Sequence, residues 1–264
     1  LGLTYDITSW LSLTGKLGMD LNFNQFETRN NPIDNLGIDQ GKYENELLRD
    51  IVRNNEFLLT AQKEGIFNSP IGVSFSFGGT QWSRDRYGLK IGTGEWVNPW
   101  LFAVNNYADQ LSVPIPTEVR FNKKINSLFG FINLNYENFL FAEFSGRNDW
   151  SSSLPIDNNS YFYPSTSLSF IANEAFDWDM NWLSFLKLRG AYAQTASDTD
   201  PFQLNFVYET NSFGGSQTAT LPNVIPPIAL KPQQANSYEV GTTIGLFDNN
   251  LNIDFTYYYI NSFD

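Results

Sequence analysis

The chain has 264 residues, of which 42% are hydrophobic, 16% aromatic and only 17% charged, so its composition is that of a folded protein and not of a disordered segment. Its 28 acidic and 16 basic residues give a net charge of -12, which argues against nucleic acid as a partner because phosphate binding depends on Lys and Arg. The absence of Cys and His excludes disulfides, thiolate zinc sites, thiol nucleophiles and histidine-based catalysis.

A β-hairpin is the first predicted element. Apolar residues alternate with small or polar ones over 1–5, a turn follows at 6–9, and the alternation returns over 11–21. This period of two is typical of strands whose two faces meet different environments. The polar stretch 22–55 has no such period, and it is predicted to be a long loop with room for a short helix at 44–52.

The next two predicted strands lie at 57–61 and 71–77, and the second of them alternates Ile, Val and Phe with Gly and Ser. The stretch 79–116 is rich in Trp, Arg and Asn and has lost the alternation. It is therefore predicted to be a second long loop. A further strand is predicted from 119 to 136.

The clearest hairpin follows the two-residue turn Glu137-Asn138. Residues 140–146 alternate apolar or small side chains with polar ones, and 165–171 repeat the pattern on the way back. Residues 147–164 are predicted to lie at the extracellular rim, where the hairpin reverses.

Three more strands are predicted, at 186–192, 238–246 and 251–259, the last two joined by a tight turn at 248–250. Between the first and second of these lies a long connection, 194–236. It is predicted to contain extended structure near 204–208 and a prolyl turn at 226–227.

About ten strands are predicted in this way, and their connections alternate between short and long. All long loops then leave one end of the sheet, as in outer-membrane barrels, which have short periplasmic turns and long extracellular loops. Tyr and Trp near strand ends suit the two membrane interfaces: Tyr5, Trp10, Tyr136, Trp150, Trp178, Trp182, Tyr192 and Tyr257. The predicted fold class is an all-β, antiparallel, up-and-down transmembrane β-barrel wall.

Two other classes stay open at this point. A soluble secreted β-sandwich that binds glycans would also alternate, but it would enclose in a core the side chains that a barrel turns outward. Those side chains are Leu128, Ile132, Leu140, Phe144, Leu188, Ile244, Phe255 and Tyr257. A carboxylate-based hydrolase would need a pair of acids about 5–10 Å apart in a cleft, and the sequence identifies no such pair.

Five segments carry a resemblance to a known family. They are Arg147-Asn148-Asp149-Trp150-Ser151-Ser152-Ser153-Leu154-Pro155 with Tyr161-Phe162-Tyr163-Pro164-Ser165, the segment 185–194, Leu230-Lys231-Pro232, and Tyr238-Glu239-Val240-Gly241. In this order and spacing they resemble the SusC/RagA-type TonB-dependent transporters of the Gram-negative outer membrane. Ala196-Ser197 and Gln233 depart from the Gly-Asn and Glu that are common in the family.

The resemblance implies that residues 1–264 are part of one TonB-dependent receptor β-barrel domain, about ten strands of a barrel of 22, with the plug domain and signal peptide outside this chain. It implies an outer-membrane localisation and energised import of large nutrients, either oligosaccharides or peptides. The implied partners are a SusD-type surface lipoprotein as lid, TonB-ExbB-ExbD acting through the plug, and outer-membrane lipid. Neither enzymatic activity nor a cofactor is expected.

Three sets of candidate residues follow. Substrate or lid contact is predicted in the second long loop at Trp82, Arg84, Trp96, Trp100, Asn105 and Tyr107, because rings stack on sugars and amides bond to hydroxyls; simple loop packing is the alternative. The family motif residues Arg147, Asp149, Trp150, Tyr161 and Pro164 are expected to organise the hairpin. The lumen-facing set is Glu143, Lys187, Arg189, Glu239 and Asp254, with Arg147.

No metal site is predicted. The acids at 177–179 and 198–200 offer oxygen ligands that calcium would accept, but they lack the regular spacing of a dedicated calcium loop.

Overall fold

The computed structural model describes residues 1–30, 42–93, 98, 101–107, 116–178, 180, 182–204, 208–213, 216–221 and 229–263. The strands in these ranges are β1 (Gly2–Thr8), β2 (Leu11–Asn30), β3 (Lys42–Lys63), β4 (Ile71–Gly92), β5 (Thr117–Tyr136), β6 (Leu140–Ser151), β7 (Ser160–Ile171), β8 (Leu183–Ser197), β9 (Glu209–Phe213), β10 (Ser216–Thr220), β11 (Gln233–Leu246) and β12 (Leu251–Phe263). One short helix, α1 (Ala172–Phe176), follows β7. In the described residues, no helix has the length and hydropathy to cross a membrane.

Ten strands form one sheet in the order β1-β2-β3-β4-β5-β6-β7-β8-β11-β12, and β9 pairs with β10 in a separate hairpin. Sequential strands are therefore neighbours, except where the β9–β10 hairpin intervenes. The all-β, antiparallel, up-and-down fold predicted from the sequence is confirmed.

Contacts divide the chain into two compact units. The first unit comprises Leu1–Leu17, Asn55–Gln81 and Lys124–Asp264, and the second comprises Gly18–Asn54 and Trp82–Lys123. Strands β2 to β5 contribute to both units, whereas β6 to β8, β11 and β12 lie wholly in the first.

In the first unit the pairing register separates an apolar face from a polar one. Phe144 is paired with Ile132 on β5 and with Thr166 on β7, and the next residue, Ser145, is paired with Phe131 and Ser165. Because successive side chains of a strand point to opposite faces, Ile132 and Phe144 share one face and Ser145 and Ser165 share the other.

The apolar face is exposed. The fractions are 42% for Leu128, 38% for Ile132, 49% for Phe144, 47% for Leu188, 63% for Phe255 and 62% for Tyr257, while Leu140 and Ile244 are half-buried. A soluble sandwich would enclose these eight side chains in a core, so the soluble-sandwich alternative is wrong for the described chain. A face this apolar and this exposed needs lipid as its solvent.

Aromatic side chains cluster on the apolar face. At the turn end of the strands, ring contacts link Tyr136, Phe139, Phe170, Phe176 and Trp178, with centroid distances of 5.3, 6.0, 6.0 and 5.2 Å between successive rings. Further along the strands, Tyr238 lies 5.1 Å from Tyr192 and 6.5 Å from Tyr259, and Trp150 lies near the far end of β6.

The spacing of Tyr136 and Trp150 matches a membrane. Tyr136 is paired with Leu140, and Trp150 lies ten residues further along the same strand as Leu140. Ten residues of strand span about 33 Å, and at a tilt of about 40° this becomes about 25 Å along the membrane normal, the height of the apolar band of outer-membrane barrels. Tyr136 and Trp150 therefore have the separation expected of side chains at the two membrane interfaces.

Strand lengths differ from the sequence prediction. Residues 22–55 and 79–116 were expected to be loops, but β2 continues to Asn30, β3 begins at Lys42 and β4 continues to Gly92, and 44–52 lies in β3 and not in a helix. A membrane-crossing strand needs only about 9–11 residues. Where a strand has water on both faces, neither face must be apolar, so the alternation that identifies strands is lost.

Smaller differences concern the connections. Helix α1 and the β9–β10 hairpin were not predicted, and Leu204 lies in a turn instead of the extended segment expected at 204–208. The turns at 137–139 and 247–250 are confirmed, with Glu137 and Asp248 in the left-handed region. The prolyl turn expected at 226–227 lies outside the described residues.

Candidate functional site

Asp149 on β6 is the centre of a polar cluster in the first unit. Its carboxylate accepts hydrogen bonds from Arg147 Nε at 2.7 Å and from the Tyr163 hydroxyl at 2.6 Å, and Arg147 also donates to Ser127 Oγ at 2.8 Å. The pairing register places Tyr163 opposite Arg147 on the polar face. Asp149 is only 7% exposed, so removal of the arginine would leave a costly unpaired charge.

Aromatic rings surround this cluster. The rings of Tyr161 and Tyr163 stack with centroids 6.1 Å apart, and the Arg147 guanidinium lies 5.8 Å from the centre of the Phe129 ring. A cleft of about 340 Å³ opens beside them and is also lined by Phe131, Ser145, Ser165 and Gln194. Rings and hydroxyls in one cleft can stack on a planar or sugar-like group and bond to its edge.

Asp198, the first residue after β8, fastens the loop between β6 and β7. Its carboxylate accepts hydrogen bonds from the hydroxyls of Ser151 and Ser153, the latter at 3.0 Å. Both serines are buried, at 1% and 3% exposure. On the other side of this loop the backbone N–H of Lys124 donates to Ser152 Oγ at 2.9 Å. The loop is therefore held from two sides.

A second polar cluster of the first unit is centred on Arg189 of β8. Its guanidinium donates to both carboxylate oxygens of Asp254, at 3.1 and 2.8 Å, and to Thr243 Oγ1 at 3.1 Å. It also donates to Thr256 Oγ1 at 2.5 Å and lies 3.6 Å from Glu239. One arginine thus links side chains of three neighbouring strands, β8, β11 and β12.

Gly241 makes room for this arginine. It is paired with Arg189 in the register between β8 and β11. A Cβ atom at this position would lie 2.7 Å from Arg189 Nε and 3.0 Å from the carbonyl oxygen of Phe255. The glycine of the Tyr238-Glu239-Val240-Gly241 segment therefore has a packing reason, because any side chain here would displace the guanidinium.

All five residues predicted to line a lumen lie on the polar face of the first unit. Following the register across the sheet, Glu143 is paired with Ser167, Ser167 with Ala191, and Ala191 with Glu239. Arg189 lies two residues from Ala191 on β8 and therefore shares its face. The remaining two, Lys187 and Asp254, are both paired with Thr243.

The second unit has its own ion pair between β3 and β4. Arg84 Nε donates to both oxygens of the Asp50 carboxylate, at 3.0 and 3.2 Å, and the guanidinium lies 5.6 Å from the centre of the Phe121 ring. Asp50 is 9% exposed. The hydrogen bond from Arg84, followed by the charges of Arg84 and Arg86, lowers the pKa of Asp50 below its ordinary value.

Asn106 organises the described part of the connection after β4. Its side-chain amide donates to the carbonyl oxygens of Asn98 and Leu101, both at 2.8 Å, and its Oδ1 accepts from the backbone N–H of Asn98 at 3.0 Å. Nearby, Phe102 packs with its ring centroid 6.3 Å from that of Tyr43. Asn106 is 5% exposed, so its role is to shape the loop and not to contact a ligand.

The predicted contact residues are distributed over different elements. Trp82 and Arg84 lie on β4 and not in a loop, because a strand with water on both faces lacks the alternation that identifies strands. Arg84 is bonded to Asp50. Asn105 is exposed and Tyr107 half-buried in the described part of the connection. Trp96 and Trp100 lie outside the described residues.

The sequence did not predict the partners of three side chains. Asp50, Ser127 and Asp198 each complete a polar cluster, but each partner is distant in sequence, and Asp198 was considered only as a possible calcium ligand. Among the described residues, no group of three or more acidic side chains could hold a metal ion.

The sheet and its faces define a class of protein. The family model for the β-barrel of TonB-dependent receptor-like proteins matches residues 1–264, and the chain belongs to this family. A similar protein is TonB-dependent receptor P3 of Formosa agariphila, which is 29% identical over 147 residues, 52% of this chain and 14% of that protein.

Solved structures with the same fold include the RagAB peptide importer. Its closed-closed state superposes with a TM-score of 0.87 at 17% identity, covering 98% of this chain and 29% of that one. Its open-open state gives 0.82 at 18% identity, covering 95% and 28%. FpvA of P. aeruginosa, solved with bound pyoverdine, gives 0.53 at 13% identity, covering 99% and 32%. The chain spans about a third or less of the length of each.

These comparisons confirm the resemblance predicted from the sequence at the level of family and barrel fold. The outer membrane of a Gram-negative bacterium is accordingly the location of this sheet. At these sequence identities the solved structures establish the fold alone and not the substrates or partners of this chain.

Proposed function

We propose that this chain forms part of the wall of a TonB-dependent importer that carries large nutrients, oligosaccharides or peptides, across the outer membrane. The observation that carries the proposal is the division of the first unit into an exposed apolar face with clustered aromatic side chains and a polar face with interlinked charges. Membership of the TonB-dependent receptor family supports it. The apolar face meets lipid, and the polar face lines the passage.

In this proposal the polar clusters hold the wall in shape. Arg189 links three strands, and Arg147 with Asp149 links β5, β6 and β7. Such cross-strand links would keep the sheet intact while a plug moves against it. The family motif residues are therefore assigned to structure, with Trp150 at the lipid interface, and the lumen set is assigned to the surface that plug and substrate meet.

The proposed partners follow from the family. TonB-ExbB-ExbD would supply force through the plug, and a SusD-type surface lipoprotein would cover the extracellular mouth. RagAB, which has the same fold, is a peptide importer, and this supports a peptide as cargo. The aromatic and hydroxyl groups of the cleft beside Arg147 suit oligosaccharides equally. Both peptides and oligosaccharides are therefore proposed as cargo.

Transport is proposed in preference to catalysis. In the described chain the two carboxylates with the least exposure, Asp50 and Asp149, are each bonded to an arginine. A glycosidase-type pair needs one carboxyl that can give up a proton, and the hydrogen bond from Arg84 lowers the pKa of Asp50, which makes Asp50 poorly suited to that role.

The test is uptake in cells. A strain lacking the receptor gene is complemented with the wild-type gene in tonB-positive and tonB-negative backgrounds, and fluorescent casein peptides and labelled xylan oligosaccharides are supplied as probes. Uptake of at least one probe is expected in the complemented tonB-positive cells alone. Glucose uptake is the control and should be equal in all strains.

Equal uptake with and without TonB would overturn the proposal. Release of shortened oligosaccharides by the purified receptor would replace it with the hydrolase alternative. Partnership is tested separately: the tagged receptor, extracted in mild detergent, should co-purify with one surface lipoprotein in equal amount.

A further inference from the structure

In the second unit, β2 has an apolar face and a polar face. On β2 the apolar side chains of Met19, Leu21 and Phe23 are 63%, 47% and 69% exposed. They alternate with Gly18, and a Cβ at Gly18 would lie 3.9 Å from the Cβ of Asn54 on β3. Gly18 and Asn54 therefore share the opposite face, which is polar.

Alternation extends this polar face to β4. Asp50 is four residues from Asn54 and so points the same way, and its ion pair with Arg84 brings β4 onto this face. Arg86 and Lys90 follow at even spacings from Arg84. This side of β4 therefore carries three cations and no acidic residue between 82 and 92.

Neighbouring acids on β3 neutralise two of the three cations. Arg84 bonds to both oxygens of Asp50. Glu44 accepts a hydrogen bond from Lys42 at 3.2 Å and lies 3.3 Å from Lys90. Arg86 acts on Asp50 through its charge alone, without a hydrogen bond to it.

Arg86 is different from its neighbours. In the part of the chain that the structure describes, six arginines have a carboxylate partner within 4 Å, and Arg53 and Arg86 have none. Arg86 is exposed. Among the described residues, Glu46, a further acid on this side of β3, forms no ion pair with it. A guanidinium beside paired charges, with its donors unused, is a ready site for an added anion.

The chemistry of the anion follows from the same face. Arg84 binds the planar carboxylate of Asp50 through both oxygens, and Arg86 offers the same fork two residues further along. A carboxylate can be bound bidentately by this fork, whereas a hydroxyl or amide of a neutral ligand can satisfy only part of it. Trp82, on the same side of β4, provides an aromatic surface for the rest of the ligand.

We infer that Arg86 is a subsite for a carboxylate of the transported ligand, which is therefore an acidic peptide or an oligosaccharide containing uronic acid. The inference rests on the proposed function, since it names the class of cargo. It assigns the recognition to the extracellular part of the long strands and not to the cluster around Asp149.

The experiment measures binding, by calorimetry, of the purified receptor in detergent to four probes. These are pentaglutamate, pentaglutamine, pentagalacturonate and maltopentaose, so each acidic probe has a neutral match. One acidic probe should bind at least tenfold more tightly than its match, and its affinity should fall as salt is raised. Arg86→Gln should weaken that probe about tenfold, by loss of a charge-assisted pair, and Arg86→Lys should recover part of the affinity.

Arg53→Gln is the matched control. It removes the same charge from an exposed, unpaired arginine on the other side of β3 and should leave binding unchanged. Equal binding of acidic and neutral probes, no binding of either acidic probe, or equal losses in the two variants would each overturn the inference. The two acidic series distinguish a peptide from a uronate ligand.

Failure of this inference can be told apart from failure of the import proposal. Binding is measured without energy or TonB, so TonB-independent uptake would remove the import proposal while Arg86-dependent binding remained. TonB-dependent uptake of a neutral probe, together with unchanged binding in Arg86→Gln, would remove the subsite and leave the import proposal in place.

Discussion

Strands β4 and β6 belong to one sheet, yet they differ in what their sequences reveal. β6 has 12 residues and alternates apolar and polar side chains along most of its length. β4 has 22 residues, and beyond its first half it alternates no longer. The difference teaches that alternation records the solvent on each face: lipid against water gives a pattern, and water against water gives none.

The same contrast explains the chemistry of the two regions. In the first unit, Arg147 and Arg189 are each tied into a network across three strands. The second unit holds six of the chain's arginines, 29, 49, 53, 84, 86 and 120, on strands that are longer than a membrane requires. In the described chain, four of these six arginines are paired with carboxylates, and Arg53 and Arg86 have no carboxylate within 4 Å.

The largest expected change in the free energy of unfolding comes from placing an arginine on the lipid-facing surface. The same substitution on a water-facing apolar residue serves for comparison. Leu188→Arg puts a charge on the lipid face of β8, and it should lower the free energy of unfolding in lipid by about 2–4 kcal/mol. Urea unfolding in vesicles, followed by tryptophan fluorescence, measures the change.

Leu47→Arg is the matched control, because Leu47 on β3 is 48% exposed and Leu188 is 47% exposed. Leu47 lies more than the membrane-crossing length from the turn end of β3, so its change should stay within about 0.5 kcal/mol. Equal losses in the two variants would contradict the assignment of different solvents.

A smaller effect is expected from filling two glycine positions. Gly241→Ala should push the Arg189 guanidinium away from Asp254 and Thr243, at a cost of about 1–2 kcal/mol in the free energy of unfolding. At Gly88 on β4 a Cβ would meet its nearest atoms at 3.5–3.9 Å, an ordinary contact. Gly88→Ala should therefore change stability by less than about 0.5 kcal/mol, and a larger loss there than at Gly241 would disprove the packing account.

The smallest effect concerns pH. The pKa of Asp50 is lowered in the folded chain, mainly by the hydrogen bond from Arg84, so the pair stabilises fully above the pKa of an unfolded Asp, about 4, and loses this contribution as pH falls through the folded value. Wild type should exceed Asp50→Asn in urea midpoint at pH 7, by the equivalent of about 1 kcal/mol or less.

This difference between wild type and Asp50→Asn should shrink as the pH is lowered below about 4. A difference that grows on acidification would show that the carboxylate destabilises the fold. The variant Arg84→Gln should behave in the same way, because it removes the other half of the pair.

Much of the wall could be predicted from the sequence, and the reason is physical. Residues 71–77, 140–146 and 251–259 have lipid on one face, so their apolar residues recur at every second position. The turns at 137–139 and 248–250 follow from residues that accept the left-handed region. The parts of β2, β3 and β4 that lie farthest from the short turns do not alternate apolar and polar residues, and for this reason they were predicted to be loops.

The candidate site was less predictable. The lumen set was chosen by strand parity, and the pairing register places its five members on one face. Partners such as Asp50 for Arg84, or Asp198 for Ser151 and Ser153, join residues that are far apart in the chain. The alternation of side chains along a strand predicts the face on which each one lies. Which side chain it contacts on a neighbouring strand or loop depends on the pairing register and the loop paths, and the sequence does not show these.

The aromatic side chains also set a length. Tyrosine and tryptophan rings favour the boundary between hydrocarbon and headgroup, so the separation of Tyr136 and Trp150, about 25 Å along the membrane normal, matches the thickness of one bilayer. A thicker bilayer would draw one of these two rings into hydrocarbon or force the lipid to thin around it, at a fraction of a kcal/mol for each ångström of mismatch. Bacterial outer membranes are thinner than average, and this sheet is dimensioned for them.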